Sequence, residues 1–115
     1  MPEKEFVGYV VEESLDDNRI LNGLQVINIK ITDESDPNKR WHIYKIAADK
    51  AEIEKLWLHL KQGWYMHFWK GENITVYFKG KKFEIFGRYK STWEPVIEYG
   101  KLIGIPEEQL DFPTD

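Results

Sequence analysis

Apolar residues recur with a period of two over most of this chain and with a helical period in two stretches, so strands should outnumber helices. Residues 5–13 (EFVGYVVEE) are rich in β-branched and aromatic types and predict a strand, followed by a polar loop through Asp16, Asp17 and Asn18. Residues 24–32 alternate, with Ile27, Ile29 and Ile31 on one face and Asn28 and Lys30 on the other, which predicts a half-buried strand. Asp33–Arg40 forms a turn around Pro37, and 41–47 (WHIYKIA) is a third strand. Asp49 then opens a helix with Glu52 three positions on, the acidic form of a capping box. Ile53, Leu56, Trp57 and Leu60 supply one apolar face, and Gly63 ends the helix. Leu58 lies off that face, so it is exposed or meets a partner.

The pattern then repeats. Residues 64–70, 73–79 and 82–88 predict three strands joined by tight turns at Gly71 and Gly80, and a second helix runs from about Thr92 to Ile103. Ser91 and Thr92 compete as its cap; Thr92 places Pro95 earlier in the helix, where a missing amide costs less. Gly100 allows close approach to the sheet, Gly104 closes the helix, and Leu110 and Phe112 tuck back onto the body. The expected fold is α+β: a mainly antiparallel sheet of about six strands with two helices on one face, in one domain spanning 1–115. The order βββα-βββα suggests an architectural duplication, although residue identity between the halves is poor.

Trp64, Tyr65, Met66, His67, Phe68 and Trp69 form six large side chains in a row. No solvated loop carries such a run; it must be a strand covered on both faces, or one that meets a ligand or partner on one of them. Across the turn at Gly80, Ile74, Val76, Phe78, Phe83 and Ile85 share one face, and Thr75, Tyr77, Lys79, Lys82, Glu84, Phe86 and Arg88 share the other. A two-residue turn at Gly71 and Glu72 would group Tyr65, His67 and Trp69 with the apolar set; a three-residue loop through Asn73 would group Trp64, Met66 and Phe68 there. The second gives the core the more apolar residues. It leaves Tyr65, His67 and Trp69 beside Tyr77 and Phe86 as a candidate ligand or partner surface, and the ordinary fate of such a face is to pack on the rest of the chain or on a second copy.

Composition narrows the chemistry. At 115 residues with 42% hydrophobic and 15% aromatic residues, the chain can bury one core. The absence of cysteine excludes disulfide and thiolate chemistry and makes a cytoplasmic location the default. No apolar run approaches the roughly 20 residues that span a bilayer, and Met1–Phe6 is charged, so a soluble protein with no export signal and no membrane partner is expected. A net charge of −4 argues against a general phosphate-backbone binder. Residues 79–90 nonetheless carry Lys79, Lys81, Lys82, Arg88 and Lys90 against Glu84 alone. Joined to the aromatic face, Lys79, Lys82 and Arg88 support single-stranded nucleic-acid binding as an alternative, though charge runs are usually solvated hairpins.

From Gly63 onward, GWYMHFW at 63–69, STW at 91–93 and EYGKLIGIPEEQLDF at 98–112 resemble a group of small prokaryotic proteins that pair an aromatic, His-containing strand with a C-terminal helix. The resemblance covers less than half of the chain. It implies a domain family without an assigned activity and supplies no catalytic residue; its motifs are a capped helix, a Gly-Ile-Pro stop and a docking tail.

Other motifs have plain structural readings. His42, His59 and His67 would form a zinc site only by converging, and surface or structural roles are commoner. Asp16, Asp17 and Asn18, or Asp33, Ser35 and Asp36, could offer oxygens to calcium, but neither matches the twelve-residue ligand loop and turn chemistry explains both. Glu94 and Glu98 fit a solvated helix face better than an acid–base pair. Phosphate-loop, dinucleotide and nucleophile-elbow motifs are missing, so no cofactor, metal or catalytic residue is called. The leading expectation is a non-enzymatic binding or protein-interaction module, with an enzyme of unrecognised type as a further alternative. Leu58 and Trp69 mark two places for self-association as a homo-oligomer.

Overall fold

The computed structural model describes residues 4–115. Eight elements follow the expected order: β1 (Phe6–Val11), β2 (Gln25–Ile31), β3 (His42–Ala48), α1 (Lys50–Leu58), β4 (Tyr65–Lys70), β5 (Asn73–Phe78), β6 (Lys81–Phe86) and α2 (Glu94–Leu102). The strands form one antiparallel sheet in the order β2-β3-β1-β4-β5-β6. The fold is therefore α+β with six strands, and no helix among the described residues is long and apolar enough to cross a membrane. A duplication finds no support in the connectivity. β3 is central to the first three strands, whereas β5 is central to the last three.

The helices divide between the two faces of the sheet instead of sharing one. Ile53 and Leu56 of α1 pack with Val10, Ile46, Ala48, Met66 and Phe68, while Val96 of α2 packs with Trp69, Ile74, Val76, Phe78 and Ile85. Met66 and Phe68 alternate with His67 and Trp69 along β4, so the two clusters lie on opposite sides. The reason is positional. The crossover after β3 covers the middle of the sheet from one side, and the chain leaving β6 finds β4–β6 still bare on the other.

α1 starts as expected: Asp49 Oδ1 accepts the Glu52 amide at 2.9 Å and Glu52 Oε1 accepts the Asp49 amide at 3.1 Å, completing the capping box. It stops at Leu58, well before Gly63. The Asp16 amide donates to the His59 carbonyl at 2.9 Å and the Lys61 amide to the Ser14 carbonyl at 2.8 Å, so residues 59–61 pair with the segment after β1 and leave the helix. Thr92 does not cap α2. Its hydroxyl donates to the Tyr89 carbonyl at 2.7 Å within a 3₁₀ turn over Lys90–Trp93, and the helix begins at Glu94 with Pro95 in its first turn, where the lost amide had no partner. Gly100 faces Leu110 of the C-terminal segment, not the sheet: a Cβ there would lie 2.6 Å from Leu110 Cδ2.

The turn between β4 and β5 has two residues. Lys70 pairs with Asn73, and Gly71 takes φ +61°, the geometry a tight hairpin asks of its first turn residue. Tyr65, His67 and Trp69 consequently oppose Phe78, Val76 and Ile74, the reverse of the register expected from a three-residue loop. Met66 and Phe68 face α1, so both sides of β4 are covered and the aromatic run is an internal strand. β2 departs from expectation in a different way. It is the edge strand, all seven residues are exposed, and a bulge between Val26 and Asn28 interrupts the alternation read from the sequence.

Candidate functional site

On the α2 side of the sheet, the helix covers β4–β6 and leaves β1–β3 without a helical lid. The C-terminal segment after α2 runs along the boundary. Phe112 anchors it, buried against Trp93 (ring centroids 5.1 Å), Tyr65 (5.5 Å) and His67 (5.8 Å). Three side chains of the sheet then hold its main chain. His67 Nε2–H donates to the Pro113 carbonyl at 2.8 Å, the Tyr65 hydroxyl donates to that of Gln109 and accepts the Asp111 amide at 3.4 Å, and the Tyr9 hydroxyl donates to the main-chain oxygen of Asp115. The segment is a strap fastened across β4 and β1.

Burial governs the protonation of these groups. His67 is 3% exposed, and desolvation pushes its pKa down to about 4 against smaller upward pulls from the Pro113 carbonyl and the Asp111 carboxylate. It is neutral at pH 7, and its Nε2 carries the proton that Pro113 receives. Desolvation likewise pushes Tyr65 up to about 12, so its hydroxyl stays a donor.

Between the strap and β2 the open half of this face forms a hollow of about 480 Å³. Its floor is Tyr9, Val11 and Ile43, with Trp64 and Trp41 in edge contact at 5.1 Å, and Asn28 and Lys30 at the β2 rim. Tyr65, His67 and Asp111 close the side nearest the strap. Few of these residues were expected. Tyr65 and His67 came from the aromatic run; Tyr9, Trp41 and Ile43 needed the pairing of β1 with both β3 and β4, which no local signal specifies. The signal that could have found Tyr9 is the alternation along β1, which puts Val7, Tyr9 and Val11 on one face.

The five residues expected to form a single aromatic surface are split by the sheet. Tyr65, His67 and Trp69 lie on the strap side, with Trp69 9% exposed and its ring stacked on His67 at 5.6 Å. Tyr77 lies on the α1 side against Trp57 at 5.1 Å, and Phe86, on that same side, is exposed. The basic residues do not join Tyr65, His67 and Trp69 either. Lys82 sits over the Trp57 ring at 5.7 Å, Lys79 is in the β5–β6 turn, and Arg88 pairs with Glu72 at 2.6 Å. Of the two places marked for self-association, Leu58 is 82% exposed on α1, whereas Trp69 is buried on the opposite side of the sheet.

The histidines are dispersed. His42 Nδ1 lies 2.7 Å from Glu13, whose carboxylate raises the His42 pKa, and His59 Nδ1 lies 2.7 Å from Asp16, while His67 is in the strap. Glu12, Glu13 and His42 could bring three ligand atoms within 4.8 Å of one another. Their oxygens already serve the fold: Glu13 accepts from the His42 amide at 2.8 Å and Glu12 accepts from the Tyr44 hydroxyl at 2.9 Å. The acidic loops have similar roles, since Asp17 holds Arg19 at 2.7 Å and Asp36 accepts the Asn38 amide at 3.0 Å.

No protein-family model, no curated protein and no solved structure matches this chain.

Proposed function

We propose that this protein is a small non-enzymatic binding module, and that its recognition surface is the hollow between β2 and the C-terminal strap. The observation that carries this reading is a concavity of about 480 Å³ with mainly aromatic and aliphatic walls and a few polar groups at its rim. Ligand pockets of ~300–1,000 Å³ have that character. Tyr9 and Trp64 offer flat surfaces, and Lys30 and Asp111 stand at opposite ends. The ligand class that suits these walls is a mainly apolar molecule with an aromatic ring. ¹⁵N NMR titration with neutral and carboxylated aromatic fragments tests it: shifts should cluster on Val11, Ile43 and the indoles of Trp41 and Trp64, and Trp64→Ala should weaken binding at least tenfold. Fragments that leave those signals unmoved at millimolar concentration would remove the proposal.

Single-stranded nucleic-acid binding is the alternative, through Tyr77, Phe86 and Lys82 on the α1 side. It has less in its favour, because Arg88 is engaged by Glu72 and the net charge is −4. Oligonucleotide binding that weakens steeply with salt and is lost in Lys82→Glu would favour it over the hollow.

A further inference from the structure

The two edges of the sheet are unlike. β6 carries Lys81, Lys82 and Glu84 within six residues, the kind of charged edge that resists pairing with another sheet. β2 (QVINIKI) has one charge and no proline, and Ile27, Ile29 and Ile31 are about half exposed (48, 50 and 55%). α1 covers β3, β1 and β4 and stops short of it.

The hydrogen-bonding phase of β2 identifies which groups are free. The Thr32 amide donates to the Trp41 carbonyl at 3.0 Å, so residues in step with Thr32, namely Lys30 and Asn28, turn their amides and carbonyls toward β3. Ile29 and Ile31 turn theirs outward. From this edge we infer that β2 pairs antiparallel with β2 of a second copy, about a two-fold axis at Ile29, and joins two sheets into one of twelve strands.

Self-complementarity selects that register. With the axis at Ile29, the outward groups of Ile29 meet those of the same residue in the second copy, and Ile31 opposes the bulged Ile27. On the other face Asn28 opposes Lys30, a neutral acceptor beside a cation. Moving the axis one residue along would set Lys30 against Lys30, a like-charge pair in direct opposition. Asn28 and Lys30 also stand at the rim of the hollow, so the axis brings the two hollows side by side, with Lys30 of the second copy beside Asn28 of the first. The pairing stands on the edge strand alone and holds whether or not the hollow takes a ligand.

The test is the solution mass of the full chain by sedimentation equilibrium from 5 to 300 µM, with three variants. Twice the 13.7 kDa chain mass is expected at the upper concentrations. Ile29→Lys, at an exposed position, should give a monomer with an unchanged circular dichroism spectrum. The chain has no cysteine, so single-cysteine variants report register directly. Ile29→Cys should oxidise to a disulfide-linked dimer, because the two Cα atoms meet across the axis at a distance a disulfide spans, whereas Leu58→Cys should not. A monomer throughout, a dimer that survives Ile29→Lys, or cross-linking through Leu58→Cys in place of Ile29→Cys would each overturn the inference.

Discussion

His67 and Pro113 join the middle of the sheet to the end of the chain: the buried imidazole donates its Nε2 proton to a carbonyl 46 residues away, at 2.8 Å. A neutral ring is the form that fits this buried place. Proton uptake in the folded state is suppressed to about pH 4, whereas an unfolded histidine titrates near 6.5.

The sign of the resulting pH dependence follows from proton counting. Between pH 6.5 and 4 the unfolded chain binds a proton that the folded one refuses, so the contribution of His67 is complete above 6.5 and declines as pH falls through that window. Its full size is about 3 kcal/mol for a shift from 6.5 to about 4. Urea unfolding at pH 7.0 and 4.5 should show a loss of that order, reduced by most of its amount in His67→Gln, which keeps a neutral donor. Equal losses in both proteins would show that other groups set the acid sensitivity.

Phe112 is the apolar anchor of the strap, 1% exposed among Trp93, Tyr65 and His67. Phe112→Ala should cost about 3–5 kcal/mol, the range for emptying a buried aromatic site. Denaturant titration measures this, and a loss below 1 kcal/mol would mean that the strap contributes little to stability.

Gly100 and Leu110 should be coupled. Alanine is favoured over glycine inside a helix by about 1 kcal/mol, yet a methyl at position 100 would meet Leu110 Cδ2 at 2.6 Å and Cγ at 3.3 Å. Gly100→Ala should therefore destabilise the natural chain and stabilise a Leu110→Ala background. A double-mutant cycle with no interaction term would contradict this contact.

Asp49 and Glu52 close the start of α1, and Lys4 Nζ reaches Glu52 at 2.7 Å. Asp49→Ala should lower the thermal midpoint by about 5 °C, and Asp49→Asn, which still accepts the Glu52 amide, by much less. Identical midpoints for the two variants would argue that the carboxylate charge, and not the cap geometry, stabilises the helix start.

Local chemistry was legible in the residues themselves. The capping box at Asp49, the turns at Gly71 and Gly80, and six strands with two helices all depend on contacts within a few positions, so propensity and periodicity reveal them. What faces what was decided by tertiary structure. One residue of turn length inverts a strand, and the two-residue turn at Gly71 sent Tyr65, His67 and Trp69 to the side of α2 and the strap. The alternation of Ile27, Ile29 and Ile31 announces a strand but not its neighbours, and only the order β2-β3-β1 makes it an uncovered edge. The hollow has the same origin: Tyr9 and Ile43 come from two strands, Trp41 and Trp64 from the residues just before β3 and β4, and long-range pairing alone brings them together. The sequence by itself determined which segments become strands and helices, because those choices are made by neighbouring residues; the sides they cover, and the site between them, were decided by the packing of distant ones.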